Sequence, residues 1–180
     1  MKYKVIQTSF PEVLILEPPE LAQDEVGLSF NLSEFQKITN SDFRFVQDNH
    51  SRSVQGVLRG LHYQIQNAQG KLVQVIDGAV FDVTVDIRPS SPNFGKWFGV
   101  ELSSENRRQL WIPPGFAHGF LVMSASADFL YKTTDYYSPE HERCIYWNDP
   151  TIGIKWPLQN EPLVSSKDAV GKLLSEAECY

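Results

Sequence analysis

The hydrophobic and polar positions of this chain alternate over short stretches, a pattern that is typical of β-strands. Between Val13 and Trp156, β-branched and aromatic residues form short runs that are separated by turn residues. This succession favours an all-β sandwich, with a tight hairpin turn at Asp77-Gly78. The predicted strands are Val13–Leu16, Phe43–Asn49, Gly56–Tyr63, Lys71–Asp77, Ala79–Asp86, Phe98–Leu102, Arg108–Ile112, Gly119–Val122 and Asp128–Asp135.

Helical periodicity is confined to two places. A short helix is predicted to begin at Ser33, because Ser33 and Gln36 have the spacing of a capping box. A second helix is predicted over residues 167–178, where one apolar stripe would dock it on the sandwich: Val170, Leu173, Leu174 and Ala177. The strand pattern resumes after each proline-rich loop, so we expect one domain over residues 1–180.

Composition and charge narrow the class of protein. The chain has 180 residues, of which 42% are hydrophobic, enough for one substantial core. Sixteen Lys and Arg against 22 Asp and Glu give a net charge of −6 without any basic block, so we do not expect nucleic acid as a partner. No signal-peptide pattern or bilayer-length apolar run occurs, so we expect a cytoplasmic protein without membrane contact.

Several kinds of site find no support in the sequence. Gln64 rather than a second histidine stands two residues after His62, and no Glu follows His62 or His118 at ligand-like spacing, so no metal is predicted. His141 and Cys144 lie in a charged stretch that we interpret as surface, and no nucleophile elbow occurs. A glycine-rich phosphate loop is also missing. The two cysteines, at positions 144 and 179, predict neither a disulfide nor a structural zinc site.

His62 is a candidate base within the strand around Gly60. Strict alternation places Leu58, Gly60 and His62 on one face and Arg59 on the other, unless a bulge at Gly60 redirects Arg59. A hydrogen-bonded core histidine is the alternative interpretation of His62.

The sequence also carries phenols and a carboxylate that suit proton abstraction next to a carbonyl. Tyr131, Tyr136 and Tyr137 cluster near the end of the last predicted strand, where the residues alone favour strand and interface packing over a catalytic role. Asp168 could orient a base, or could be a first-turn acid favoured by the helix dipole.

A set of segments spread over almost the whole chain closely resembles the dTDP-4-dehydrorhamnose 3,5-epimerase family. The segments begin with Phe45–Ser51, Leu58–Gln64 and Gly70–Val73 and continue with Phe81–Arg88, Trp111–Phe120, Phe129–Lys132, Asp149–Ile154, Trp156-Pro157 and Ser166–Asp168. Their order and spacing are similar to those of the family throughout.

The resemblance implies a cupin-type jelly roll and a homodimer that works without a metal or organic cofactor. Its substrate would be a nucleotide-linked 4-keto-6-deoxyhexose that is inverted at C3 and C5. His62 would be the base and Asp168 the carboxylate that orients it. Tyr131 would be the acid on the opposite face of the sugar, and Lys71 the cation that stabilises the enolate oxygen at C4.

The same resemblance implies residues that bind the nucleotide and the sugar. Arg59 would bind the diphosphate through its forked guanidinium. Tyr137 would stack on the base. The other expected substrate-binding residues are Gln47, Asn49, His118, Ser29, Asn31 and Lys167.

One segment departs from the family pattern D-x-R-G-x-F-x-E. Val26 replaces the arginine, Ser29 the phenylalanine and Asn31 the glutamate, and all three positions concern nucleotide binding. Because an amide both donates and accepts hydrogen bonds, a CDP-linked substrate is one explanation, and tolerated loss of affinity is another. A C3-only epimerase, a ketoisomerase and an inactive sugar-nucleotide-binding cupin also remain as alternatives.

Overall fold

Two β-sheets carry most of the regular structure of the residues that this computed structural model describes, 3–19 and 29–180. Two short helices, α1 (Leu32–Thr39) and α2 (Ser166–Ala169), accompany them. The strands are β1 (Lys4–Gln7), β2 (Leu14–Glu17), β3 (Gln47–Val54), β4 (Val57–Gln64), β5 (Lys71–Asp77), β6 (Ala79–Asp86), β7 (Trp97–Ser103), β8 (Gln109–Ile112), β9 (Phe116–Val122), β10 (Ser126–Thr133), β11 (Glu142–Cys144) and β12 (Leu163–Val164).

The first sheet has the order β1-β2-β8-β5-β10-β3, and the second has the order β11-β4-β9-β6-β7. All neighbours along these two paths are antiparallel, while β12 adds to β4 in parallel. The predicted all-β sandwich is therefore confirmed. No helix among residues 3–19 and 29–180 is long and apolar enough to span a membrane.

Most predicted strands lie within a few residues of the observed ones, and β5 and β6 have the predicted bounds. The exception is β3, which begins at Gln47 rather than at Phe43. Phe43 and Phe45 instead pack against Trp111, with ring centroids 5.4 and 6.0 Å away, so this segment covers the outer face of the first sheet. The short strands β1, β11 and β12 were not predicted.

The core lies between the two sheets, where alternate side chains of each strand meet. Its fully buried members include Val73, Val80, Leu102 and Leu110, with Phe129 alongside them. Burying each such side chain contributes about 1.5–3 kcal/mol. Because this cluster fills only part of the space between the sheets, the polar side chains of the same strands line a cavity beside it.

The N-cap of helix α1 lies two residues earlier than predicted. Asn31 is its N-cap, since the backbone there is extended and the side-chain Oδ1 accepts a hydrogen bond from Glu34 N at 3.0 Å. Ser33 lies within the first turn, so the predicted capping box at Ser33 is wrong. Phe35 then anchors the helix against Trp111, with ring centroids 4.9 Å apart.

The predicted helix over residues 167–178 is also wrong. Helix α2 ends at Ala169, and only a single 3-10 turn follows, at Leu174–Glu176. Lys172 interrupts the helix because its backbone bonds to the neighbouring segment, donating to Cys144 O at 3.0 Å and accepting from Tyr146 N at 2.7 Å. The apolar stripe does not dock as a unit, since Val170 is 77% exposed whereas Leu174 is buried.

Candidate active site

A cavity of about 410 Å³ opens between the two sheets. That volume is within the range of small-molecule sites. Ten of the twelve predicted site residues line it: Gln47, Asn49, Arg59, His62, Lys71, His118, Tyr131, Tyr137, Lys167 and Asp168. Residues that the sequence analysis missed complete the lining: Ser51, Gln69, Gly119, Phe120, Phe129, Glu142 and Ser165.

A bulge in β4 brings Arg59 and His62 to the same side of the second sheet. Arg59 pairs with Phe120 and His62 with His118, so two residues of β4 stand opposite Gly119 alone. The side-chain alternation therefore shifts by one position. The placement of Arg59 and His62 on opposite faces by strict alternation is therefore wrong. The bulge considered at Gly60 is present, and both side chains line the cavity.

Imidazole and carboxylate meet directly in the cavity wall. His62 Nε2 lies 2.5 Å from Asp168 Oδ1, across 106 residues of sequence. Helix α2 holds the carboxylate. Ser165 caps this helix, because its Oγ accepts a hydrogen bond from Asp168 N at 3.1 Å. Burial alone would raise the pKa of Asp168, but the hydrogen bond and charge of His62 outweigh burial and lower that pKa. Asp168 is therefore an ionised partner for the ring.

The facing sheet supplies a phenol and an ammonium group. Tyr131 lies on β10 and Lys71 on β5, and both side chains point into the same cavity as His62. Burial raises the pKa of Tyr131, so its hydroxyl is a proton donor at neutral pH. Burial lowers the pKa of Lys71 to about 8, although the nearby carboxylates of Glu142 and Asp82 oppose the shift.

A second histidine is held by a buried carboxylate at the floor of the cavity. His118 Nε2 lies 3.0 and 2.9 Å from the two carboxylate oxygens of Asp82. Burial lowers the pKa of His118 and raises that of Asp82, so burial opposes ionisation of both partners. The ring also stacks on Phe129, with centroids 6.1 Å apart. Asp82 lies on β6. It was not predicted as a site residue, because in the sequence it is simply one polar residue within a strand.

Glu142 joins two of the predicted binding residues at the side of the cavity. Its Oε2 accepts hydrogen bonds from Tyr137 Oη at 2.7 Å and from Lys167 Nζ. Burial opposes ionisation of Glu142, but these two hydrogen bonds lower its pKa. Glu142 was not predicted as a site residue, because it belongs to the charged stretch interpreted as surface. The stretch is partly exposed, and its pairing as β11 with β4 brings Glu142 to the cavity.

Amide and guanidinium groups line the wall next to Tyr137. Gln47 donates to Asn49 Oδ1 at 2.8 Å and accepts from Tyr137 N at 3.2 Å, so neighbouring polar groups fix its amide in place. Arg59 donates to Ser53 Oγ at 3.2 Å. A guanidinium has five N–H donors, so Arg59 retains several for an anionic ligand.

Two predicted binding residues lie outside the cavity of their own chain. Asn31 is engaged as the cap of α1, and the carbonyl of Ser29 accepts from Gln109 Nε2 at 2.7 Å and from Tyr3 Oη at 2.9 Å. Val26 lies outside the described residues. The nucleotide-binding roles of Ser29 and Asn31 stay predictions.

Cys144 lies beside the imidazole and carboxylate. The ligand atoms of His62, Cys144 and Asp168 all lie within 4.8 Å of one another, an arrangement that could hold a metal ion. Burial raises the pKa of Cys144 to about 12, so the thiol is protonated at neutral pH. His141 is not its partner, because His141 Nδ1 bonds to Ser138 Oγ at 2.8 Å.

Comparisons with known proteins agree on one family. Residues 7–176 match the family model described as dTDP-4-dehydrorhamnose 3,5-epimerase. A dTDP-4-dehydrorhamnose 3,5-epimerase from Pseudomonas aeruginosa is 55% identical over 98% of this chain and 99% of its own length. A dTDP-6-deoxy-D-glucose-3,5-epimerase from Legionella pneumophila, solved in complex with dTDP-4-keto-L-rhamnose, is 52% identical with a TM-score of 0.95, covering 98% of this chain and 95% of that one.

Proposed function

This chain belongs to the dTDP-4-dehydrorhamnose 3,5-epimerase family, and we propose that His62 and Tyr131 are the base and acid of its epimerase reaction. The chain is an isomerase that acts on a nucleotide-linked 4-keto sugar. The observation that carries the proposal is that His62 lies on the second sheet and Tyr131 on the first, with the cavity between them. Inversion at carbon needs one group on each face of the sugar ring.

His62 abstracts the proton through Nδ1. Its Nε2 is bound to Asp168, and no described residue hydrogen-bonds Nδ1, which leaves that nitrogen available to the substrate. The carboxylate fixes the tautomer with the proton on Nε2 and stabilises the imidazolium that forms. Protons next to the C4 carbonyl, at C3 and at C5, are the ones whose removal gives an enolate.

Lys71 and Tyr131 complete the reaction from the facing sheet. The enolate places negative charge on the C4 oxygen, and an ammonium group in the cavity wall stabilises that charge more strongly than water does. Tyr131 returns a proton to the face opposite His62, which inverts the carbon. Its raised pKa suits this role, because the phenol keeps its proton until the enolate requires it.

The other cavity residues bind the nucleotide and the polar groups of the sugar. Arg59 and Lys167 bind the diphosphate, and Tyr137 stacks on the base. Gln47, Asn49 and His118 bind polar groups of the sugar. We propose dTDP as the nucleotide, as in the names of the relatives, and a cytoplasmic location.

A homodimer is a further part of the proposal. Ser29 and Asn31 do not line the cavity of their own chain, and a partner chain could bring its segment to the cavity mouth. Sedimentation equilibrium tests the dimer. Mixing inactive His62→Asn protein with a binding-defective Asn31 variant tests whether Asn31 acts in the partner's cavity. Only a site shared between two chains restores activity in the mixed dimer.

Deuterium exchange measured by NMR tests the reaction. dTDP- and CDP-4-keto-6-deoxyglucose are incubated with the protein in deuterated water, and exchange is followed at C3 and C5 separately. We expect exchange at both carbons with the dTDP sugar, loss of exchange in His62→Asn, and exchange without completed inversion in Tyr131→Phe. Exchange at C3 alone would identify a C3-only epimerase, and preference for the CDP sugar would identify the alternative nucleotide.

A further inference from the structure

Cys144 stands next to the proposed base and has no part in the reaction described above. Strand β11 pairs with β4 so that Cys144 is the register partner of His62. Paired residues of antiparallel strands project from the same face of the sheet, which brings the thiol to the imidazole. Its Sγ lies 4.0 Å from Asp168 Oδ1.

Thiolate, imidazole and carboxylate are the three protein ligands that zinc prefers. We propose that Zn²⁺ binds His62 Nε2, Cys144 Sγ and Asp168 Oδ1, takes a water from the cavity as its fourth ligand, and so inhibits the epimerase. The loss of activity rests on the proposed role of His62, whereas the binding of the metal does not.

The three side chains need only small movements to reach tetrahedral geometry. Zinc bonds of about 2.0–2.3 Å separate a nitrogen and an oxygen ligand by about 3.4 Å, and a sulfur and an oxygen ligand by about 3.6 Å. His62 Nε2 and Asp168 Oδ1, now 2.5 Å apart, must separate by about 0.9 Å. Cys144 Sγ, now 4.0 Å from Oδ1, must approach by about 0.4 Å. His62 Nε2 and Cys144 Sγ lie within 4.8 Å of each other and must approach to about 3.6 Å.

Proton balance explains why the bound metal inhibits. The ring proton leaves Nε2 for Nδ1, the thiol proton leaves to solvent, and the metal takes both vacated positions, so each bound ion releases one proton. Nδ1 is the atom that abstracts the substrate proton. It carries a proton in the zinc complex and can no longer act as the base.

A zinc titration of the exchange reaction tests the site, with Cys144→Ala as the variant and Cys179→Ala as its matched control. Cys179 is the other cysteine of the chain and lies in the outer cluster against the second sheet. Without zinc, all three proteins should exchange deuterium equally. The zinc concentration for half-inhibition should rise on the order of 100-fold in Cys144→Ala and stay unchanged in Cys179→Ala. Equal zinc sensitivity in the wild type and Cys144→Ala overturns the proposal.

Cobalt provides a readout that does not depend on activity. Co²⁺ should give a thiolate-to-cobalt charge-transfer absorption in the wild type and in Cys179→Ala, and none in Cys144→Ala or Cys144→Ser. If the wild type shows no such band, the metal site is refuted. If the band is present in a protein without exchange activity, the metal site stands and the proposed function fails.

Discussion

Gly60 and Gly119 contact each other backbone to backbone where β4 passes β9. A Cβ on Gly60 would lie 2.6 Å from the Cα of Gly119, closer than real side chains approach. This contact lies within the bulge that turns Arg59 and His62 into one cavity. The reactive arrangement therefore depends on two residues without side chains.

Replacing Gly60 by alanine should damage both stability and catalysis. The matched control is Gly56→Ala, because Gly56 also has a positive φ but has open space around it. Gly56→Ala should cost about 1–2 kcal/mol of the free energy of unfolding through φ alone, and Gly60→Ala roughly 2 kcal/mol more through the clash. Thermal unfolding and deuterium exchange measure the two effects. Equal losses in both variants would show that the close contact is unimportant.

Asp168→Asn should leave a folded protein with little activity. The amide cannot hold the ring in the tautomer that leaves Nδ1 free, so exchange at C3 and C5 should fall on the order of 10³-fold while dTDP affinity is unchanged. Asp86→Asn is the control, since Asp86 is also fully buried but bonds to Arg88 and Ser91 outside the cavity. It should lower the melting temperature and preserve exchange. Substantial activity in Asp168→Asn would remove the carboxylate from the mechanism.

Activity should decline in alkaline solution because Lys71 loses its charge. Its pKa of about 8 means that kcat/KM for exchange should fall as pH rises above that value. Lys71→Arg keeps the charge and should move this alkaline fall in kcat/KM to higher pH. Its activity should be lower, because the guanidinium is larger. Lys71→Met should lose about 10²–10³-fold at every pH. An alkaline limb that is the same in the wild type and Lys71→Arg would assign it to another group.

Lys71 should also make the free energy of unfolding rise with pH. Its folded pKa of about 8 lies below the ordinary 10.5, so between these values the unfolded chain binds more protons than the folded one. Lys71 therefore destabilises the fold most at neutral pH. Urea unfolding should find Lys71→Met more stable than the wild type at pH 7, with the difference shrinking towards pH 10.5. A difference that does not change with pH would show that the burial of charge is not its cause.

Glu142→Gln should weaken substrate binding more than catalysis. The carboxylate orients both Tyr137 and Lys167, so its loss should raise KM about 10-fold and change kcat less than about 2-fold. Glu140→Gln, two residues away, is the control, because Glu140 is exposed and bonds to Ser138. Steady-state kinetics separate the two constants, and a fall in kcat at unchanged KM would place Glu142 in the chemical step instead.

The sequence by itself determined the sandwich and the composition of its site. Alternation is a local property of the chain, and for this reason β5 and β6 were found with their observed bounds. The resemblance to the family identified ten residues that the fold gathers around one cavity.

Only the tertiary structure decided how these residues meet. His62 and Asp168 are 106 residues apart, and their contact depends on how α2 lies against β4. Glu142 gained its partners from the pairing of β11 with β4, and the expected C-terminal helix was lost because Lys172 bonds to the chain at Cys144 and Tyr146. Hydrogen bonds between distant segments outweigh local periodicity when both compete for the same backbone groups, and periodicity contains no information about which distant segments will pair.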